Sequence, residues 1–193
     1  MIKAIIFDAD GMLVVGERFS SRFSKEFNVP MEKIRLFFDN EFKDCVLGKK
    51  DLAEEIKPYL KLWGFKGEVK DILDYWFARD RIIDKEILEA VGQLRKNGKI
   101  CILATNQEKH AAAFLKKEMG MENVFDFVIA SSDVGYKKPQ AEFFEKVFEK
   151  IPNIKKEEVL FFDDREENIK SAKEFGFQAK LYKNINDLNR YFN

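Results

Sequence analysis

Histidine is nearly absent. The 193 residues contain one, His110, within NQEKHAAAFLKKEMG, a pattern that predicts a helix. A Ser-His-Asp or Cys-His mechanism would have to rest on that single imidazole, so acid–base work falls to carboxylates. Cysteine is scarce as well. Cys45 and Cys101 stand far apart, with no C-x-x-C pair and no histidine at zinc-ligand spacing. That pattern argues against a zinc cluster or a disulfide framework and suits a reducing compartment. Net charge is missing: 34 Lys and Arg cancel 34 Asp and Glu. Neither a basic field for nucleic acid nor a polybasic patch for a membrane surface is present. No apolar run approaches the ~18–20 residues of a membrane span, and Met1–Phe7 is too short for a signal-peptide core. A cytoplasmic protein is expected, a monomer or a small homo-oligomer.

What the chain does have is apolar material, at 46% of residues with 20 phenylalanines, enough for one sizeable core and a smaller insertion. Five β-rich runs stand out: KAIIFDA (3–9), KICILAT (99–105), DFVIAS (126–131), EVLFFD (158–163) and QAKLYK (178–183). Most are continuously apolar, as parallel strands covered on both faces must be. Helical patterns lie between the later runs. Asn106 is positioned to cap one, Pro139 to sit in the first turn of another, and Gly176 to stop the one bearing Ile169, Ala172 and Phe175. This alternation predicts a parallel α/β sheet. Residues 16–84 break it. Phe19, Phe23 and Phe27, then Ile34, Phe37, Phe38 and Phe42, then Val69, Ile72, Leu73, Trp76 and Phe77 recur at helical spacing. They predict a small helical module with an aromatic core, inserted after the first strand.

Polar residues gather where the strands end. The first ends in Asp8 and Asp10, the second in Thr105 and Asn106, and the fourth in Asp163 and Asp164; Lys137 and Lys138 follow the third. Asp8 and Asp10 share a face if the strand continues, and like charges that close need a cation or a proton between them. Carboxylates converging on a sheet edge suit a hard divalent cation such as Mg²⁺ together with a phosphate. A nearby lysine and helix-start amides would add positive potential for a phosphoryl group.

FDADGML, ILATNQ, GYKKPQAEFF and FFDDREENIKSA resemble, in order, the four motifs of the haloacid dehalogenase-like (HAD) hydrolase superfamily. Residues 16–85 look like the C1 cap of its subfamily I phosphatases, most like small sugar-phosphate enzymes of the glucose-1-phosphate type. The resemblance implies a Rossmann-like, parallel five-stranded sheet of order 5-4-1-2-3, carrying an inserted all-helical four-helix cap. The catalytic core would span residues 1–15 and 86–193. Asp8 would be nucleophile and metal ligand, and Asp10 the general acid/base, offering its carbonyl to Mg²⁺. Thr105, Asn106 and Lys138 would hold phosphate, with Asp164 and Asp163 completing the metal site. Arg18, Arg22 and Lys49, in the insertion, are candidates for contacts to a small phosphorylated substrate. The implied activity is phosphoric monoester hydrolysis through an aspartyl-phosphate. A phosphomutase of the superfamily shares these residues. A 2-haloacid dehalogenase typically lacks the second aspartate, which is present as Asp10. A receiver domain places its acidic pair on strand one and its phosphorylated aspartate on strand three, the reverse of this order.

Overall fold

The structure, a computed structural model, describes residues 1–78, 82–189 and 191. Seven strands occur among them: β1 (Ala4–Phe7), β2 (Val14–Val15), β3 (Ile82–Ile83), β4 (Ile100–Thr105), β5 (Phe127–Ala130), β6 (Val159–Asp163) and β7 (Gln178–Leu181). Five form one parallel sheet in the order β5-β4-β1-β6-β7. The strand numbers differ from the expected 5-4-1-2-3 because two further strands enter the count. β2 and β3 make a separate antiparallel ribbon, and runs of two residues are too short to show in a sequence pattern.

The continuous apolar runs follow from burial on both faces. In β1, Ile5 and Phe7 enter one hydrophobic cluster, while Ala4 and Ile6 enter the other. β4 and β6 divide in the same way, Cys101, Leu103, Leu160 and Phe162 against Ile102, Ala104, Val159 and Phe161. Helix Lys85–Lys96 covers the first face with Ile87, Ala90, Val91 and Leu94. Asp84 caps it, accepting from the Glu86 and Ile87 amides. Helices Ala141–Phe148 and Glu166–Phe175 cover the second face. Gly176, at φ +107°, ends the latter in a conformation that suits glycine.

Residues 19–78 are helical, in six segments rather than four: Phe19–Phe27, Met31–Asp39, Glu41–Val46, Leu52–Glu55, Lys57–Leu62 and Val69–Ala78. Asn40, at φ −118° and ψ −99°, separates the second from the third. Pro58 follows the break at Ile56, and its missing N–H would have bonded the Glu54 carbonyl in a continuous helix. Phe23, Ile34, Phe37, Cys45, Ile56 and Ile72 are fully buried among these segments. Residues 79–81, near the expected end of the insertion at 85, lie outside the described residues. Both cysteines are free and sit in different clusters. No helix among the described residues is long and apolar enough to cross a membrane.

Asn106 does not cap the helix that follows β4. That helix, Lys109–Ala113, is capped by Glu108, whose carboxylate accepts from the His110 and Ala111 amides. Pro139 likewise precedes its helix, which begins at Ala141 after Gln140.

Candidate active site

The parallel registers fix where the polar residues meet. Phe7 pairs with Leu103 on one side and Phe162 on the other, so Asp8 and Asp163 each lie one residue beyond the last β1–β6 pair. Thr105 closes β4 opposite Ala130. All three therefore stand at the carboxyl edge of the sheet, where open α/β folds bind ligands. The chain leaves β1 through an Asp8 amide bonded to the Phe162 carbonyl at 3.0 Å.

Lys138 organises this edge. Its buried ammonium donates to Asp8 Oδ1 at 2.6 Å, Asp163 Oδ2 at 2.8 Å and the Ala104 carbonyl at 2.9 Å, using all three of its protons. Asn106 holds the lysine in place: its amide accepts from the Lys138 N–H and donates to the Lys138 carbonyl, both at 2.9 Å. The Lys138–Pro139 peptide is cis. Asn168, on helix Glu166–Phe175, donates to both Asp163 oxygens at 2.9 and 3.0 Å, and the Arg165 amide adds a third bond at 2.9 Å.

Burial pushes the Asp8 carboxyl up to about 7, with Lys138 pulling it down and the neighbouring Asp163 and Asp10 charges adding to the rise. Burial alone would lower Lys138, but Asp8 and Asp163 outweigh it and hold the ammonium above its ordinary value. Carboxylate oxygens of Asp8, Asp163 and Asp164 lie within 4.8 Å of one another. Three carboxylates face one ammonium, so the donor set is all oxygen and carries surplus negative charge. That chemistry fits a hard divalent cation.

The chain turns sharply after β1. Gly11 has φ +88°, and a Cβ on it would lie 2.4 Å from Asp164 Oδ2. Only a residue with no side chain lets the turn pass so close to that carboxylate. Met12, on the same turn, is fully buried in the core. Asp10 is not among the three clustered carboxylates and accepts from Gln107 Nε2 at 2.5 Å.

The sequence of residues 2–176 matches the profile of the haloacid dehalogenase-like hydrolases. The chain belongs to this family. Among HAD hydrolases, a phosphorylated carbohydrates phosphatase of Thermotoga maritima is 24% identical over 196 residues, 97% of this chain and 88% of its own. A HAD family enzyme of Bacteroides thetaiotaomicron, solved in complex with magnesium and inorganic phosphate, has a TM-score of 0.79 at 25% identity, covering 95% of each chain. The bifunctional epoxide hydrolase 2 of Rattus norvegicus is 30% identical over 107 residues, 52% of this chain. The chain spans only 19% of that relative's length.

The remaining candidates divide. Arg18 lines a cavity of about 590 Å³ that also contains Asp10, Asn106, Gln107 and Asp164. Arg22 borders the same cavity, but its guanidinium donates to the Tyr75 hydroxyl and carbonyl at 2.9 and 2.7 Å and lies over that ring. Lys49 lies elsewhere, largely exposed and 4.0 Å from Asp44, and does not border the cavity. Gln107 and Arg165 were not candidates from sequence, and the aromatic residues expected to form only a helical core also line this cavity. For Gln107 no local signal exists, because its partner Asp10 is 97 residues away. For Asn168 the spacing DDREEN was the available signal.

Proposed function

We propose that this HAD hydrolase is a Mg²⁺-dependent phosphatase acting on a small phosphorylated metabolite, with residues 16–85 as a cap over the site. The observation that carries this reading is Asp10. A second aspartate on the turn after Asp8, outside the carboxylate cluster and bonded to Gln107, gives the site a separate proton carrier. Nucleophilic displacement at a carbon–halogen bond has no use for that group. Phosphoryl transfer to and from an aspartate needs it twice.

In the reaction, an Asp8 carboxylate oxygen attacks phosphorus, and the bond from phosphorus to the leaving oxygen breaks. Asp10 gives that oxygen a proton, so the alcohol leaves neutral. A water molecule then attacks the aspartyl-phosphate, losing its proton to Asp10, and the phosphorus–Asp8 bond breaks to release inorganic phosphate. Lys138 holds Asp8 Oδ1 in place and offers positive charge to the phosphoryl oxygens. Thr105, ending β4, and the Asn106 backbone line the same edge as phosphate-contacting groups. Asp8, Asp163, Asp164 and the Asp10 carbonyl would hold Mg²⁺, whose charge, when bound, neutralises the carboxylates and the phosphate. The magnesium and phosphate of the Bacteroides enzyme support this reading. Sugar phosphates, the class carried in the name of the Thermotoga relative, belong to the substrate range considered.

The test is hydrolysis of p-nitrophenyl phosphate with and without EDTA, by the wild type and by Asp8→Asn. Loss of turnover in both cases, with the variant still folded by circular dichroism, is expected. A variant that keeps the wild-type rate, or a wild type indifferent to EDTA, overturns the reading.

A further inference from the structure

The cavity that holds Asp10 and Asp164 has an unusual far wall. It is built by three half-buried aromatic side chains of the insertion, Phe38, Phe42 and Trp76, with Phe19 behind them. Trp76 stacks on Phe19 with ring centroids 4.1 Å apart and planes 11° from parallel, which fixes the indole in orientation. Phe42 lies 5.5 Å from the Trp76 centroid and 4.9 Å from that of Phe38. Val14 and Val15 of the β2 ribbon continue the apolar lining. Two charged groups beside this wall are engaged, the Arg22 guanidinium with Tyr75 and Glu17 with Lys25, while Arg18 and Arg165 also border the cavity.

Such a wall discriminates between leaving groups. Sugar hydroxyls turned toward these rings would find no partners there, and each unmade bond costs free energy. The face of a flat ring carries no hydroxyls to desolvate and gains stacking. The volume, about 590 Å³, lies within the ordinary range of small-ligand sites. Because Asp10 borders the cavity, the oxygen it protonates must belong to the group that occupies this space.

We propose that the leaving alcohol carries a flat aromatic ring that lies against Phe42, Phe38 and Trp76, making the natural substrate an aromatic phosphate monoester rather than a simple sugar phosphate. The proposal rests on the phosphatase reading and narrows its substrate class. Two sources of such a ring exist, a nucleobase and a simple aryl group.

Matched pairs separate them. The full chain with Mg²⁺ is assayed for phosphate release from nucleoside 5′-monophosphates against ribose 5-phosphate, and from benzyl phosphate against ethyl phosphate. Within each pair the ester is of the same kind and only the ring differs. The ring is expected to raise kcat/KM at least about 10-fold, about 1.4 kcal/mol, chiefly by lowering KM. A gain in the nucleotide pair alone identifies a nucleobase; a gain in both identifies a general aryl site. Phe42→Ala should erase most of the gain and Phe42→Tyr should keep it, whereas a variant that merely folds poorly lowers both members of a pair alike. Equal rates within both pairs, with p-nitrophenyl phosphate still hydrolysed, overturn this proposal and leave the phosphatase reading standing. If no ester is hydrolysed, the phosphatase reading fails and this proposal with it.

Discussion

Lys138 Nζ lies 2.6 Å from Asp8 Oδ1 and 2.8 Å from Asp163 Oδ2, so one buried ammonium bridges the ends of two neighbouring strands. Lys138→Ala would leave two buried carboxylates facing each other with no cation. Breaking a buried pair by removing one partner costs about 3–5 kcal/mol. Urea denaturation should report a loss of that order in metal-free protein, and a smaller loss in saturating Mg²⁺. A variant as stable as the wild type without metal would contradict the bridging role.

The raised Asp8 carboxyl predicts a pH dependence for metal-free protein. Its folded value, about 7, exceeds the 3.8 of an ordinary aspartate. Between these values the folded state binds more protons than the unfolded state, so stability falls as pH rises through this window. The contribution of Asp8 should be most favourable below about pH 4 and fully lost above about pH 7. Denaturation midpoints compared between wild type and Asp8→Asn should draw apart from about pH 4 to 7, with the wild type losing ground, and then hold a constant gap. A difference constant across that window would show that Asp8 titrates as an exposed group does.

Gly11→Ala tests the close turn. The new methyl would need to occupy space 2.4 Å from Asp164 Oδ2, at a φ of +88° that costs a residue with a side chain about 1–3 kcal/mol. We expect lower stability, and a Mg²⁺ concentration for half-maximal activity shifted upward because Asp164 is displaced. Unchanged metal dependence would mean that Asp164 can retreat without consequence.

Asp10 and Gln107 should differ in degree. Asp10→Asn removes the proposed proton carrier and should slow turnover by about 10²–10⁴. Gln107→Leu removes only the group that orients it, so a smaller fall in kcat with little change in KM is expected. Steady-state kinetics on both variants check this. Equal losses would indicate that Gln107 does more than orient Asp10.

The sheet was legible because burial on both faces leaves a strong mark: AIIF, ICILAT and VLFFD admit no polar residue until the strand runs out. The same marks placed Asp8, Thr105 and Asp163 at one edge, since parallel strands end together. What the sequence concealed was partnership. Asn106 reads as a helix cap or a phosphate contact, yet its side chain grips the Lys138 peptide, a relationship 32 residues long. Glu108 took the capping role because its carboxylate reaches two amides of the first turn. In the insertion, helical spacing showed which residues are apolar but not which of them face a cavity. Phe37 is wholly buried, whereas its neighbour Phe38 borders the cavity. Arg22 and Lys49 are equal candidates for substrate contacts in the sequence, and only packing sends one to Tyr75 and the other to solvent.

The bonds from Lys138 to Asp8 and Asp163 close loops of 130 and 25 residues. Ordering a contact across so long a stretch of chain is entropically slow to achieve. Before β1, β4 and β6 have zipped together, Asp8 has no counter-charge and behaves as an ordinary aspartate beside an ordinary Asp10. On the mechanism proposed above, the attacking group acquires its partner Lys138 only in the finished sheet. Reactivity is in this sense a readout of completed folding.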